Sequence, residues 1–158
     1  MENNLHIQYI DEKYIKLDLL SNNQGLETWL VKDNCTGKLF VLKETMPELA
    51  EIYRTLQLFP NKNLAAIYET FKPDNKFIVI EEFISGDTLE EIINKGNANV
   101  HTSFYIIKQI LEVLIFLHGI NIIHRDINPR NILVSTETVT EELFVISMQY
   151  HVVSILSI

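Results

Sequence analysis

The chain has 158 residues, 47% of them hydrophobic and 22% charged, with a formal net charge of −8 at pH 7. That length holds one domain or a piece of one, and the composition is that of a globular protein with a packed core. The acidic balance excludes a general attraction to nucleic acid or to anionic membrane, so neither is an expected partner. Cys35 is the single cysteine, which excludes an intrachain disulfide and agrees with a reducing, cytoplasmic setting. Residues 1–6 contain no basic stretch leading into an apolar run, so no secretory signal is expected. The apolar run 143–158 is shorter than the ~20 residues of a spanning helix and is interrupted by Gln149 and His151, so no membrane span is expected there.

The first part of the chain reads as strands. Tyr14 to Leu19 alternates loosely, Thr28 to Val31 is β-prone, Asp33 to Gly37 is turn chemistry, and Leu39 to Lys43 is apolar and β-prone. Pro47 suits a first helical turn, and Leu49, Ile52, Tyr53 and Leu56 recur at helical spacing to about Leu58. Ala66 to Phe71 and Phe77 to Glu81 are two further strands around a turn at 72–76. After Gly86 the period changes. Thr88-Leu89-Glu90-Glu91 has the spacing of a capping box for a short helix ending near Gly96. Phe104, Ile107, Ile110, Leu111, Leu114 and Leu117 form a wide apolar stripe on a second helix, with Gly119 suited to end it. Strands with one helix, followed by helices, predict an α+β fold of two lobes joined near Glu82 to Gly86.

The chemistry concentrates in His124-Arg125-Asp126-Ile127-Asn128-Pro129-Arg130-Asn131, set between the apolar runs Ile122-Ile123 and Ile132-Leu133-Val134. Phosphoryl transfer needs a carboxylate to orient the attacking hydroxyl and an amide oxygen to hold Mg²⁺ against the phosphates. Asp126 and Asn131 supply both groups on one loop. The loop resembles the H-R-D-L-x-x-x-N signature of eukaryotic-type serine/threonine protein kinases. The resemblance implies that Asp126 is the catalytic base and Asn131 a metal ligand, with His124 and Arg125 supporting the loop. Phe40-Val41-Leu42-Lys43 stands where the family has V-A-I-K, which implies that Lys43 reaches the α- and β-phosphates of ATP. Its expected partner is a glutamate on the following helix. Glu48 and Glu51 both qualify, and Glu51 fits the family pattern better after a one-residue insertion. Residues 78–86 resemble the family's hinge, with Glu81 as gatekeeper and the backbones of Glu82 and Ile84 bonding adenine. The implied adenine pocket is lined by Leu20, Thr28, Val41, Lys43, Glu82, Ile84 and Leu133. Lys43, Glu51 and Asp126 form the expected catalytic set, ATP and Mg²⁺ are the implied cofactors, and a protein is the implied substrate.

Three departures qualify this resemblance. Counting back from Lys43 puts Ser21, Asn23 and Leu26 where the glycines of G-x-G-x-x-G belong, with Gly25 nearby. Asn128 replaces the lysine that steadies the transferred phosphate, while Pro129 keeps the serine/threonine character. No Asp-Phe-Gly follows Val134; the strand-like 143–146 leads into Ser147-Met148-Gln149. The expected organisation is a partial kinase domain over 14–134 (N-lobe 14–81, hinge 82–86, start of the C-lobe 87–134), then an unmatched tail, 135–158, that suggests truncation or a shifted frame. The implied function is ATP-dependent transfer of the γ-phosphate to a protein hydroxyl, with no activity expected of the short chain itself. The alternatives are a non-catalytic kinase-like module or gene remnant, and a small-molecule phosphotransferase, against which Arg125 argues.

Overall fold

The computed structural model describes residues 2–73, 75–97, 99–135, 146–148 and 154–155. Its chain divides into two compact units: Met1–Pro60 with Ala66–Phe83, and Asn61–Ala65 with Ile84–Ile158.

The first unit is built on an antiparallel sheet of β1 (Tyr14–Asn23), β2 (Leu26–Asp33), β3 (Leu39–Thr45), β4 (Ile67–Phe71) and β5 (Phe77–Glu82), in the order β1-β2-β3-β5-β4. Side chains alternate across a strand, so each face carries every second residue. One face presents Val31, Leu42, Ile78 and Ile80, which pack with Ile10 and Tyr14. Ile10 belongs to α1 (Glu2–Lys13), a helix that the sequence reading did not anticipate. Its apolar residues lack a strong stripe. The contacts that seat it are Ile10 in the core, the Tyr9 and His6 rings on Phe71, and the ion pair from Lys13 to Glu69. That carboxylate and the Tyr9 hydroxyl hold the Lys13 pKa well above its usual value.

Pro47 opens a 3-10 turn over Pro47–Leu49, which runs into α2 (Ala50–Leu58). α2 buries Ala50, Ile52, Tyr53 and Leu56. The Tyr53 ring lies 6.2 Å from that of Phe77 on β5.

Two turns set the register of the first three strands. Gln24 and Gly25 both have positive φ, 55° and 85°, as a two-residue type I′ hairpin requires. Asp33 closes the next turn by accepting from the Thr36 N–H at 2.7 Å and the Cys35 N–H at 2.9 Å. These amides hold its carboxyl below the usual carboxylate range. A carboxyl with a lowered folded pKa stabilises the fold above its unfolded value, and that contribution is lost as pH falls through the folded value. The stability deficit of Asp33→Asn is therefore expected to be constant near neutrality and to shrink below about pH 4, as read from urea melts over pH 2–7.

In the second unit, the capping box forms as its spacing predicts. Thr88 Oγ1 accepts from the Glu91 N–H at 3.2 Å, and Glu91 Oε2 accepts from the Thr88 N–H at 2.7 Å, opening α3 (Leu89–Asn94). β6 (Gly86–Thr88) pairs antiparallel with β8 (Ile132–Ser135), which pairs with β9 (Ile146–Met148); β7 (Ile122–Ile123) pairs with β10 (Ser154–Ile155). Of the strand-like stretch 143–146, residues 143–145 lie outside the described residues.

α4 (Val100–Gly119) is longer than the stripe suggested, because Asn99 caps it by accepting from the Thr102 N–H at 2.8 Å. Its inward face also differs from the expected one. Ile106, Gln109, Val113 and Leu117 are buried, while Phe104, Ile107 and Leu111 are exposed. The helix is apolar nearly all round, so periodicity alone could not choose the packed face. By length and composition α4 could also cross a membrane.

Candidate functional site

β3 and its neighbours arrange the first group of candidate residues. Thr28 on β2 lies opposite Lys43, and Leu30 lies opposite Val41. On the other side, Val79 faces Lys43 and Glu81 faces Val41. Thr28, Val41, Lys43 and Glu81 therefore share one face of the sheet, away from the core that α1 covers. The Lys43 Nζ sits 5.9 Å from the centre of the Tyr53 ring on α2. Burial lowers the Lys43 pKa, and the Glu81 carboxylate opposes that shift. Burial likewise raises the Glu81 pKa, with Lys43 opposing it. Lys43 is half-buried overall, but its ammonium end lies where desolvation dominates.

The pairing expected between Lys43 and Glu51 needs correction. Glu51 is exposed and binds Arg54 Nη1 at 2.9 Å on the outer side of α2. Its neighbours Ile52 and Tyr53 turn inward, and on a helix that places position 51 toward solvent. Glu48 is exposed as well. The carboxylate that faces Lys43 comes from the sheet, as Glu81. The sequence did carry a signal for this. Residues two apart on a strand share a face, so a glutamate opposite Val41 is a diagonal neighbour of Lys43.

The other adenine-pocket candidates are less gathered. Leu20 is exposed and falls within a register shift between Leu19 and Ser21. The Glu82 N–H already donates to the Ala66 carbonyl at 2.8 Å, and its Oε2 accepts from the Ala66 N–H at 3.1 Å. That amide is thus not open to a ligand. Ile84 is half-buried after β5, and Leu133 is half-buried on β8 opposite Thr88. Gly25, the remaining glycine of the β1–β2 turn, donates its N–H to Asn22 Oδ1 at 3.2 Å. The amide that a phosphate-binding loop would offer is used inside the turn.

The second unit holds the loop from His124 to Asn131. His124 is buried, Arg125 adopts a left-handed φ of 62°, and Asp126 follows with its N–H directed at His124 Nδ1, 3.3 Å away. A non-glycine residue in that conformation is strained and persists only where its surroundings impose it. Here the turn sends His124 inward and presents Asp126. Both Asp126 carboxylate oxygens accept amide hydrogens. Oδ1 accepts from Asn128 Nδ2 and Oδ2 from Asn131 Nδ2, each at 2.8 Å. Asn131 Nδ2 also donates to the Asp126 carbonyl at 3.0 Å. Asn128 caps the 3-10 turn Pro129–Asn131 by accepting from the Arg130 N–H at 3.0 Å. This role of Asn128 was missed in the sequence, where its position marks only the loss of a lysine.

With both Nδ2 hydrogens on Asp126, the buried Asn131 keeps Oδ1 as its accepting end. A neutral oxygen of this kind is a ligand type that Mg²⁺ accepts, and the Asp126 carboxylate stands beside it. Among the described residues there is no group of three or more His, Cys, Asp or Glu that could hold a metal ion. The loop thus fits one neutral metal ligand next to one anchored carboxylate.

The chain is 28% identical to calcium-dependent protein kinase 4 of Plasmodium berghei over 80% of its length, covering 26% of that protein. It is 29% identical to cell division control protein 2 homolog 3 of Trypanosoma brucei brucei, with 80% of the chain and 44% of the relative covered. Similarity at 29% identity also extends to serine/threonine-protein kinase D of Synechocystis sp., covering 82% of the chain and 28% of the relative. The chain therefore spans less than half the length of each of these relatives. The protein kinase domain model matches residues 31–145, a span that runs from β2 through Lys43 and the Asp126–Asn131 loop. On that match, carried by the loop whose geometry is given above, the chain belongs to the protein kinase family.

Proposed function

We propose that this chain is a serine/threonine-type protein kinase segment that binds ATP with Mg²⁺, and that its line of descent transfers the γ-phosphate to a protein hydroxyl. The observation that carries this reading is the Asp126 carboxylate, fixed at both oxygens by Asn128 and Asn131. A carboxylate held in one orientation can align a hydroxyl and take its proton, which is the main task the protein has in this chemistry. Lys43 is the cation for the α- and β-phosphates, and Asn131 Oδ1 is the ligand offered to Mg²⁺. When bound, the metal neutralises charge on the phosphates. The kinase portion spans 14–134, divided at 82–86, and the stretch after it is no separate tail, since the family match runs on to residue 145 and β9 and β10 pair with β8 and β7; protein is the substrate class and the cytoplasm the setting.

A second reading, nucleotide binding without transfer, is favoured for the chain as it stands. The Gly25 amide is used by its own turn, Asn128 stands in place of a lysine, and the sequence after Val134 supplies no Asp-Phe-Gly. Titration with a fluorescent ATP analogue tests the shared core of both readings. Saturable, Mg²⁺-assisted binding is expected, with Lys43→Met weakening it at least about tenfold, as for a lost charge-assisted contact. Asp126→Asn is expected to leave affinity within about threefold, because Asp126 serves the acceptor hydroxyl rather than the phosphates. Absence of binding at millimolar nucleotide would refute the reading.

A further inference from the structure

We propose that the cavity between α1 and the sheet binds a compact organic ammonium ion, an apolar body that carries one protonated amine. The cavity holds about 380 Å³, within the size range of small-molecule sites, and all its walls belong to the first unit. It opens on the core face of the sheet, opposite to the face that carries Lys43, so the nucleotide reading makes no use of it.

Three walls form the cavity. Ile7, Ile10 and Asp11 fall on one side of α1, at the i, i+3, i+4 spacing of a helix face. Ile10 is seated in the core, whereas Ile7 is 42% exposed, so α1 covers the sheet near its C-terminal end and leaves it open a turn earlier. Leu42 and Ile78 give the apolar floor. The β4–β5 turn closes the third side, held by the Lys76 N–H, which donates to the Pro73 carbonyl at 3.0 Å.

Four charged side chains line these walls, and their pairing decides the ligand. Lys76 is spent on Glu44, 2.7 Å away, and the Lys16 ammonium lies 5.0 Å from the centre of the Trp29 ring. The carboxylates are less used. Asp11 makes no hydrogen bond or ion pair among the described residues. Glu44, with a side chain only 12% exposed, engages Oε2 alone, through Lys76 and the Glu27 N–H at 3.2 Å. Its Oε1 thus keeps an accepting position beside apolar walls, where a charged N–H donor makes the strongest bond. A ligand carboxylate would meet Asp11 and Glu44 and find Lys16 as the one lysine outside an ion pair. The net charge of −8 adds a field that favours a cation.

Trp29, the single tryptophan, reports on this wall. Lys16 lies over its ring, and its indole N–H donates at 2.9 Å to Glu27, whose own N–H is on Glu44. Phenethylammonium is expected to change Trp29 emission saturably at about millimolar concentration, as its few heavy atoms allow. Hydrocinnamate, a similar body ending in a carboxylate, and neutral phenethyl alcohol are expected to bind at least about tenfold more weakly, as for a lost charge-assisted contact. Asp11→Asn and Glu44→Gln are each expected to weaken the ammonium about tenfold, with circular dichroism checking that they fold. If Glu44→Gln fails to fold because Lys76 loses its partner, Asp11→Asn decides, since Asp11 is exposed and its loss strands no buried group. Added ATP is expected to leave the probe bound. No saturable change, equal or tighter binding of hydrocinnamate or phenethyl alcohol, unchanged affinity in Asp11→Asn, or displacement of the probe by ATP would overturn the proposal. Failure of ATP itself to bind would count against the nucleotide reading and leave this site standing.

Discussion

Purified and incubated with ATP and Mg²⁺, the chain is expected to transfer phosphate no faster than its Asp126→Ala variant. The loop that orients a hydroxyl is formed, but the charge on the phosphates has little to balance it. Asn131 offers a neutral oxygen, Asn128 is occupied by Asp126 and Arg130, and the Gly25 amide is occupied by Asn22. A lost electrostatic contact of this kind typically costs about 10²–10³ in rate, roughly 2.7–4 kcal/mol. Several together put turnover below background even though such losses do not add fully. Autophosphorylation and transfer to a generic basic protein, with Mg²⁺ or Mn²⁺, provide the measurement. Transfer above background that vanishes in Asp126→Ala would show that another carboxylate supplies the metal site.

The second large effect is structural. Gly86→Val is expected to break the pairing of β6 with β8. A Cβ at Gly86 would lie 2.2 Å from the Val134 carbonyl oxygen and 2.8 Å from its carbon. The collision involves the Cβ and the facing backbone, so no rotamer relieves it. Overpacking of this kind costs about 3 kcal/mol or more, a large share of the stability of a small unit. A drop of that size in urea melts, with faster hydrogen exchange at Ile132 to Ser135, is the expected outcome. Gly119→Ala is the control. Nothing lies within 4 Å of a Cβ there, so the change is expected to be neutral or to stabilise by up to ~1 kcal/mol. Equal effects at the two positions would show that the β6–β8 approach is not the cause.

Much of this architecture could be read before the fold was known, and the reasons are local. Asp33 and Thr88 announce their turn and cap because their side chains bond amides two or three residues away. The spacing from Asp126 to Asn131 is legible for the same reason, since a short loop brings the two together. What escaped the reading depends on distant partners. The seat of α1 is set by β4 and β5, the inward face of α4 by the rest of its unit, and the carboxylate that shares a face with Lys43 by which strand lies beside β3. Glu51 suits the family pattern by position along the chain, but the rotation of α2, fixed by Ile52, Tyr53 and Leu56 turning inward, points it to solvent.

The order of the strands also bears on how the first unit assembles. β1, β2 and β3 follow one another as a meander, joined by the Gln24–Gly25 turn and the short loop after Asp33. β4 and β5 form a hairpin of their own. All of these pairings close short loops, which cost little entropy and form early. The β3–β5 pairing alone joins strands separated by α2 and β4, from Thr45 beside Phe77 to Phe40 beside Glu82. The kinetic barrier to building this sheet is therefore concentrated in one seam. That seam also brings Lys43 and Glu81 onto one face of the sheet, so the charged face of the first unit is completed only when its least local pairing closes.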